Sequence, residues 1–137
     1  IQYELDRNMV EGRFKIGQIV RLGVPKEEPI VLLDELRAYL RHYKPVNFAY
    51  MGWIKQEDTP DWHYVFGFDV DKGSDNYIEN QFYNEIAIIL RKHIIHPDYA
   101  DLITVMDDGV VARFLKTRTI PFYVNEKLSA SWSTEAT

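Results

Sequence analysis

Trp62-His-Tyr-Val-Phe-Gly-Phe-Asp-Val70 alternates apolar and smaller or polar residues without a break. A strand turns successive side chains to opposite faces, so Trp62, Tyr64, Phe66, Phe68 and Val70 share one face. His63, Val65, Gly67 and Asp69 share the other. Upstream, Val46-Asn-Phe-Ala-Tyr-Met-Gly-Trp-Ile54 is a second run of β-formers, joined to the first by the polar stretch Gln56-Glu-Asp-Thr-Pro-Asp61. Two such runs with a short polar connection predict a hairpin.

Outward from the hairpin the pattern changes period. Before it, Pro29, Glu27 and Glu28 mark a helix start, and Leu33, Leu36, Leu40 and Tyr43 recur at helical spacing until Pro45 stops them. Earlier still, Phe14 to Leu22 reads as a strand ending at the turn signal Gly23-Val-Pro25. After the hairpin and the loop Asp71-Lys-Gly-Ser-Asp75, Asn76 and Glu79 have the form of an N-cap and its partner. Ile78, Phe82, Ile86, Ile89 and Leu90 then give one apolar stripe of a long helix. Leu102 to Met106 is a short strand, and Asp107-Asp108 is expected to cap a third helix with Val110, Val111, Phe114 and Leu115 inward. Ile120 to Val124 is the last extended piece. The order β-α-β-β-α-β predicts an α+β fold, a ferredoxin-like split βαβ antiparallel sheet, with an extra short helix and a terminal strand.

Composition sets exclusions. The 137 residues are 46% hydrophobic and 27% charged, enough for one well-packed domain. The expected division is an N-terminal extension over 1–13, one α+β domain over 14–125 and a tail over 126–137, in which Trp132 is the single aromatic. No cysteine is present, which removes disulfides, thiolate metal sites and a cysteine nucleophile. A net charge of −5 argues against a general nucleic-acid footprint. No stretch reaches the ~20 apolar residues of a membrane span, so neither nucleic acid nor membrane is expected as a partner, and the cytoplasm is the expected compartment. A chain opening on Ile1 reads as a fragment or a processed form.

Candidate chemistry is sparse. His93 and His96 at the end of the second helix could approach one metal, with Asp98 and Asp101 near in sequence. A histidine-rich helix C-terminus explains them without one. His63 has no partner identifiable in sequence for general-base work. Asp69 to Asp75 offers alternating oxygens but lacks the glycine and glutamate positions of a calcium loop. No phosphate-cradling glycine motif occurs, and Ser74 alone does not make a hydrolase. No cofactor, metal or catalytic residue is assigned.

The landmarks Leu22-Gly-Val-Pro25, Ala49-Tyr50, Phe66-Gly-Phe-Asp69 and Pro121-Phe-Tyr123, in that order, resemble the C-terminal domain of the enhanced serine sensitivity protein SseB family over about residues 16–124. The resemblance implies a small cytoplasmic bacterial protein with no assigned reaction, often preceded by a separate N-terminal domain. It supplies no catalytic residue. The chain departs from the family in a longer loop over 72–80 and in its tail.

The functional expectation is a non-enzymatic protein-binding or regulatory module, its partner a protein or a second copy. One rival is a ligand-binding or enzymatic domain of amino-acid metabolism with His63 or Asp69 at a pocket mouth. Another is a partner-neutralising immunity-type protein. If the Phe66 face packs against the helices, the opposite face is expected to show Ala49, Met51, Trp53, His63 and Val65, with Ile19 and Arg21 from the first strand. Ile19, Arg21, Met51, Trp53 and Val65 are therefore the expected partner contact. The competing expectation is that the third helix or the final strand folds over that face.

Overall fold

The structure is a computed structural model that describes residues 20–57, 61–71, 76–95, 98–106 and 109–128. Within them run β1 (Val20–Gly23), α1 (Ile30–Leu40), β2 (Val46–Gln56), β3 (His63–Val70), α2 (Asn76–His93), β4 (Ala100–Thr104), α3 (Val110–Arg118) and β5 (Tyr123–Val124). The chain is α+β, as its pattern predicts. Residues 14–19 of the expected first strand, the Asp107-Asp108 cap, the side chains of Asn76, Ile78 and Glu79, and residues 129–137 of the tail, Trp132 among them, lie outside the described residues.

The sheet order is β1-β2-β3-β4, with β5 on β2. This corrects the expected ferredoxin-like order. A split βαβ inserts a strand between the two strands that a helix joins. Here β3 and β4, joined through α2, are direct neighbours and pair in parallel, Val65 beside Asp101 and Phe66 beside Leu102. The other pairings are antiparallel, so the sheet is mixed. β5 lies end to end with β1 along the same side of β2: β1 takes Trp53 to Gln56, and β5 takes Phe48 and Ala49.

Directly paired residues share a sheet face. Met51 pairs with Phe66 and Ala49 with Phe68, so these four point the same way. Against them lie Leu32, Leu33, Leu36 and Leu40 of α1 and Phe82, Ile86, Ile89 and Leu90 of α2. A register shift between Val46 and Phe48 puts one extra residue into β2, which returns Val46 to this face opposite Val70. The C-terminal segment is fastened here as well. Arg37 Nε donates to the Phe122 carbonyl at 2.7 Å, and the Tyr123 hydroxyl donates to the Leu40 carbonyl at 3.2 Å.

The opposite face is also covered. Tyr50, Ile54, Val65, Ile103 and Val105 pack against Val111, Ala112 and Leu115 of α3. Gly52 and Gly67 make that approach possible. A Cβ on Gly67 would stand 2.6 Å from Val105 Cγ1 and 2.7 Å from Leu115 Cδ1, and one on Gly52 would stand 2.8 Å from Leu115 Cδ2. The cap of α3 is Gly109, without a side-chain hydrogen bond. Val110, expected inward, is exposed, because Val111, Ala112 and Leu115 occupy the buried stripe.

Candidate functional site

Burial divides the chemistry into a sealed part and an open part. The sealed part is on the α3 face. His63 Nε2 lies 2.8 Å from Asp101 Oδ2, and the two side chains are 4% and 0% exposed. The parallel pairing of β3 with β4 brings them together across 38 positions of sequence. Neither residue points to the other in a linear reading. Tyr99 lays its ring 4.2 Å from the imidazole, and Gln56 is the remaining buried polar side chain among those described. An imidazole donating to a carboxylate, both out of water, makes a strong fixed contact. It offers no open side to a substrate.

The other candidates separate in space. Asp69 is six residues further along β3, roughly 20 Å from His63 at strand spacing. One pocket mouth does not hold both. His93 reaches across to α1, its Nε2 2.9 Å from Glu35 Oε1, while Lys92 Nζ lies 2.7 Å from Glu35 Oε2. These contacts, from Lys92 first and His93 second, hold the Glu35 carboxyl below its ordinary value. His96 lies outside the described residues. Among the described residues, no three His, Asp or Glu side chains gather as a metal site would require.

The open part is at the end of the helix-side face where the sheet runs past α1 and α2. Trp53 pairs with Gly23 on one side and Tyr64 on the other. One row further out, Arg21 pairs with Lys55. The same register carried one step beyond Ile54 and His63 sets Trp62 opposite Lys55. Trp62 is 37% exposed and lies nearly parallel to Trp53, at 9° with 6.4 Å between ring centroids. Tyr64 meets Trp53 edge-on at 4.8 Å. The Trp62 ring also lies over Gly23, 3.8 Å from where a Cβ would stand. Burial raises the Tyr64 hydroxyl above its ordinary value, and the Asp98 and Glu27 carboxylates push it the same way.

The five expected contact residues therefore do not form one surface. Met51 is 8% exposed beneath the helices, and Val65 is fully buried under α3 on the other face. Ile19 lies outside the described residues. Arg21 and Trp53 remain together, on the Phe66 face and not opposite it. Trp62, read from the sequence as a helix-facing core residue, is the member that reasoning missed. Its position at the strand's first step, before any helix can cover it, was the available signal.

A family model described as SseB protein C-terminal domain matches residues 15–125, a span that includes every strand and helix described here. The chain belongs to the SseB C-terminal domain family. No curated protein and no solved structure matches it. The SseB C-terminal fold in this chain thus carries a sealed His–Asp pair and an open aromatic corner. Among the described residues, no helix is long and apolar enough to cross a membrane.

Proposed function

We propose that this chain is a non-enzymatic protein-binding module, with residues 14–125 as its folded unit and the cytoplasm as its setting. The observation that supports the reading is the contrast between the two sites. The His63–Asp101 pair, the one buried histidine–carboxylate contact among the described residues, is closed to a reactant. The Trp53–Trp62–Tyr64 group is left open at the end of an otherwise covered sheet. An exposed tryptophan, Trp62, stacked on the half-buried Trp53 with an arginine on the same face has the composition of an interface centre.

The test is a paired capture from extract of the source cells. The intact chain and its Trp62→Ala variant, both shown to be folded by circular dichroism, are immobilised in parallel. Bound proteins and small molecules are then identified by mass spectrometry. The module reading expects a protein retained by the first and lost from the second. Identical protein sets on both surfaces, or a small metabolite as the sole specific ligand, count against it.

A further inference from the structure

The open corner carries a charge pattern as well as rings. Arg21 and Lys55 stand directly opposite each other across β1 and β2, and like charges in that position repel. Among the described residues, no carboxylate forms an ion pair with either. They occupy the outermost row of the face, beside the exposed ring of Trp62. The acidic groups felt at this corner, Asp98 and Glu27, act on Tyr64, which lies on the β3 side. The corner is thus cationic at the Arg21–Lys55 row and aromatic beside it, with the carboxylates of Asp98, just before β4, and Glu27, just after β1, acting on Tyr64.

We propose that this corner takes an acidic peptide segment of a partner protein, with an apolar or aromatic side chain on Trp53 and Trp62 and carboxylates on Arg21 and Lys55. The inference rests on the module reading above and deepens it by stating the partner's chemistry. A peptide carboxylate would relieve the Arg21–Lys55 repulsion, and an aromatic or apolar anchor would cover the half-buried rings. The acidic surround of Tyr64, to which Asp98 and Glu27 contribute, confines the peptide's own carboxylates to the Arg21–Lys55 row. It also disfavours a long polyanion, whose phosphates would have to cross it.

The probe is a fluorescein-labelled, acetylated and amidated octapeptide alternating glutamate and phenylalanine. Its binding to the intact chain is read by fluorescence anisotropy, beside its lysine–phenylalanine counterpart and an oligothymidylate of equal length. The acidic peptide is expected to bind at least about ten-fold more tightly than the basic one, and less tightly as salt rises. In an Arg21→Glu, Lys55→Glu double variant the preference reverses. Trp62→Ala weakens the acidic peptide by about five-fold or more, as loss of an aromatic anchor does. Arg21→Gln, Lys55→Gln guards against a folding artefact: it removes the preference without reversing it. Equal binding of the two peptides, no binding of the acidic one, or oligothymidylate binding abolished by the charge reversal would each overturn the proposal. Trp62-dependent protein capture with no acidic-peptide binding refutes the partner's chemistry and leaves the module reading intact. Capture that ignores Trp62 refutes the module reading itself.

Discussion

Gly67→Ala tests the packing of α3 against the sheet, and its cost follows from the geometry. The new methyl group would stand 2.6 Å from Val105 Cγ1 and 2.7 Å from Leu115 Cδ1, where ordinary contact begins near 3.4 Å. Neither neighbour can swing into solvent: Val105 and Leu115 are almost wholly buried, in β4's continuation and at the centre of α3. The relief must come from moving the helix or forcing rotamers, and overpacking of this kind costs about 1–3 kcal/mol. Replacing a glycine also restricts the unfolded chain, which offsets about 0.4–1 kcal/mol. The net expectation is a loss of about 1–2 kcal/mol. Urea unfolding followed by circular dichroism should show the midpoint falling by about 0.5–1.5 M with an unchanged slope. A double-mutant cycle sharpens the test, because Leu115→Ala removes one of the two clashing atoms. In that background Gly67→Ala should cost less, with a coupling of at least about 0.5 kcal/mol. A Gly67→Ala midpoint indistinguishable from wild type, with no coupling to Leu115, would refute the close seating of α3 on β3.

Three further outcomes are expected. Phe66, wholly buried against Phe122 and the helices, should cost about 3–5 kcal/mol when changed to Ala; a loss below about 1 kcal/mol in urea unfolding would invert the face assignment of β3. Asp101→Ala strips the buried imidazole of its carboxylate and should cost about 3–5 kcal/mol, against near-neutral behaviour if that contact were exposed. Glu35 titrates in the folded chain below its ordinary value of 4.5, so its contribution is present above that value and lost as pH falls through the depressed folded one. The midpoint difference between wild type and Glu35→Gln should accordingly be present above the ordinary value of 4.5 and shrink as pH falls below it; a difference that grows below that value contradicts the pairing with Lys92 and His93.

Much of the fold is legible because burial imposes a period. The leucines of α1 and the alternation of β3 both face Phe82 and Ile86 of α2, and each period states which side is inward. What the period leaves open is parity. In β2 and β3, Met51 pairs with Phe66 and Trp53 with Tyr64. Reading Met51 and Trp53 onto the face opposite Phe66 amounts to a slip of one residue in a connection whose length does not determine register. That single step sent Met51 to a surface it does not occupy. It also combined Val65, which is under α3, with Trp53, which is on the other side. The His63–Asp101 contact is invisible for a different reason. It depends on β4 pairing in parallel beside β3, a non-local choice that no local pattern encodes.

The same register explains why a surface is left over at all. α1 and α2 cover the sheet from Val46 and Val70 up to Met51 and Phe66, and α3 covers the reverse face at Gly52 and Gly67. β2 continues beyond that cover through Trp53 to Gln56, because β1 needs Trp53 to Gln56 as its pairing partners. On the α3 face this overhang carries Ile54, Gln56 and His63, all buried. On the helix face it carries Trp53, Lys55 and Arg21, with Trp62 alongside, and these remain partly in water. Solvating an edge needs charge but not three aromatic rings, since lysine and arginine alone would keep such an edge soluble and unpaired. On the reading proposed above, the rings are the contact surface, and the two cations beside them, without an ion pair among the described residues, set the sign of what it takes.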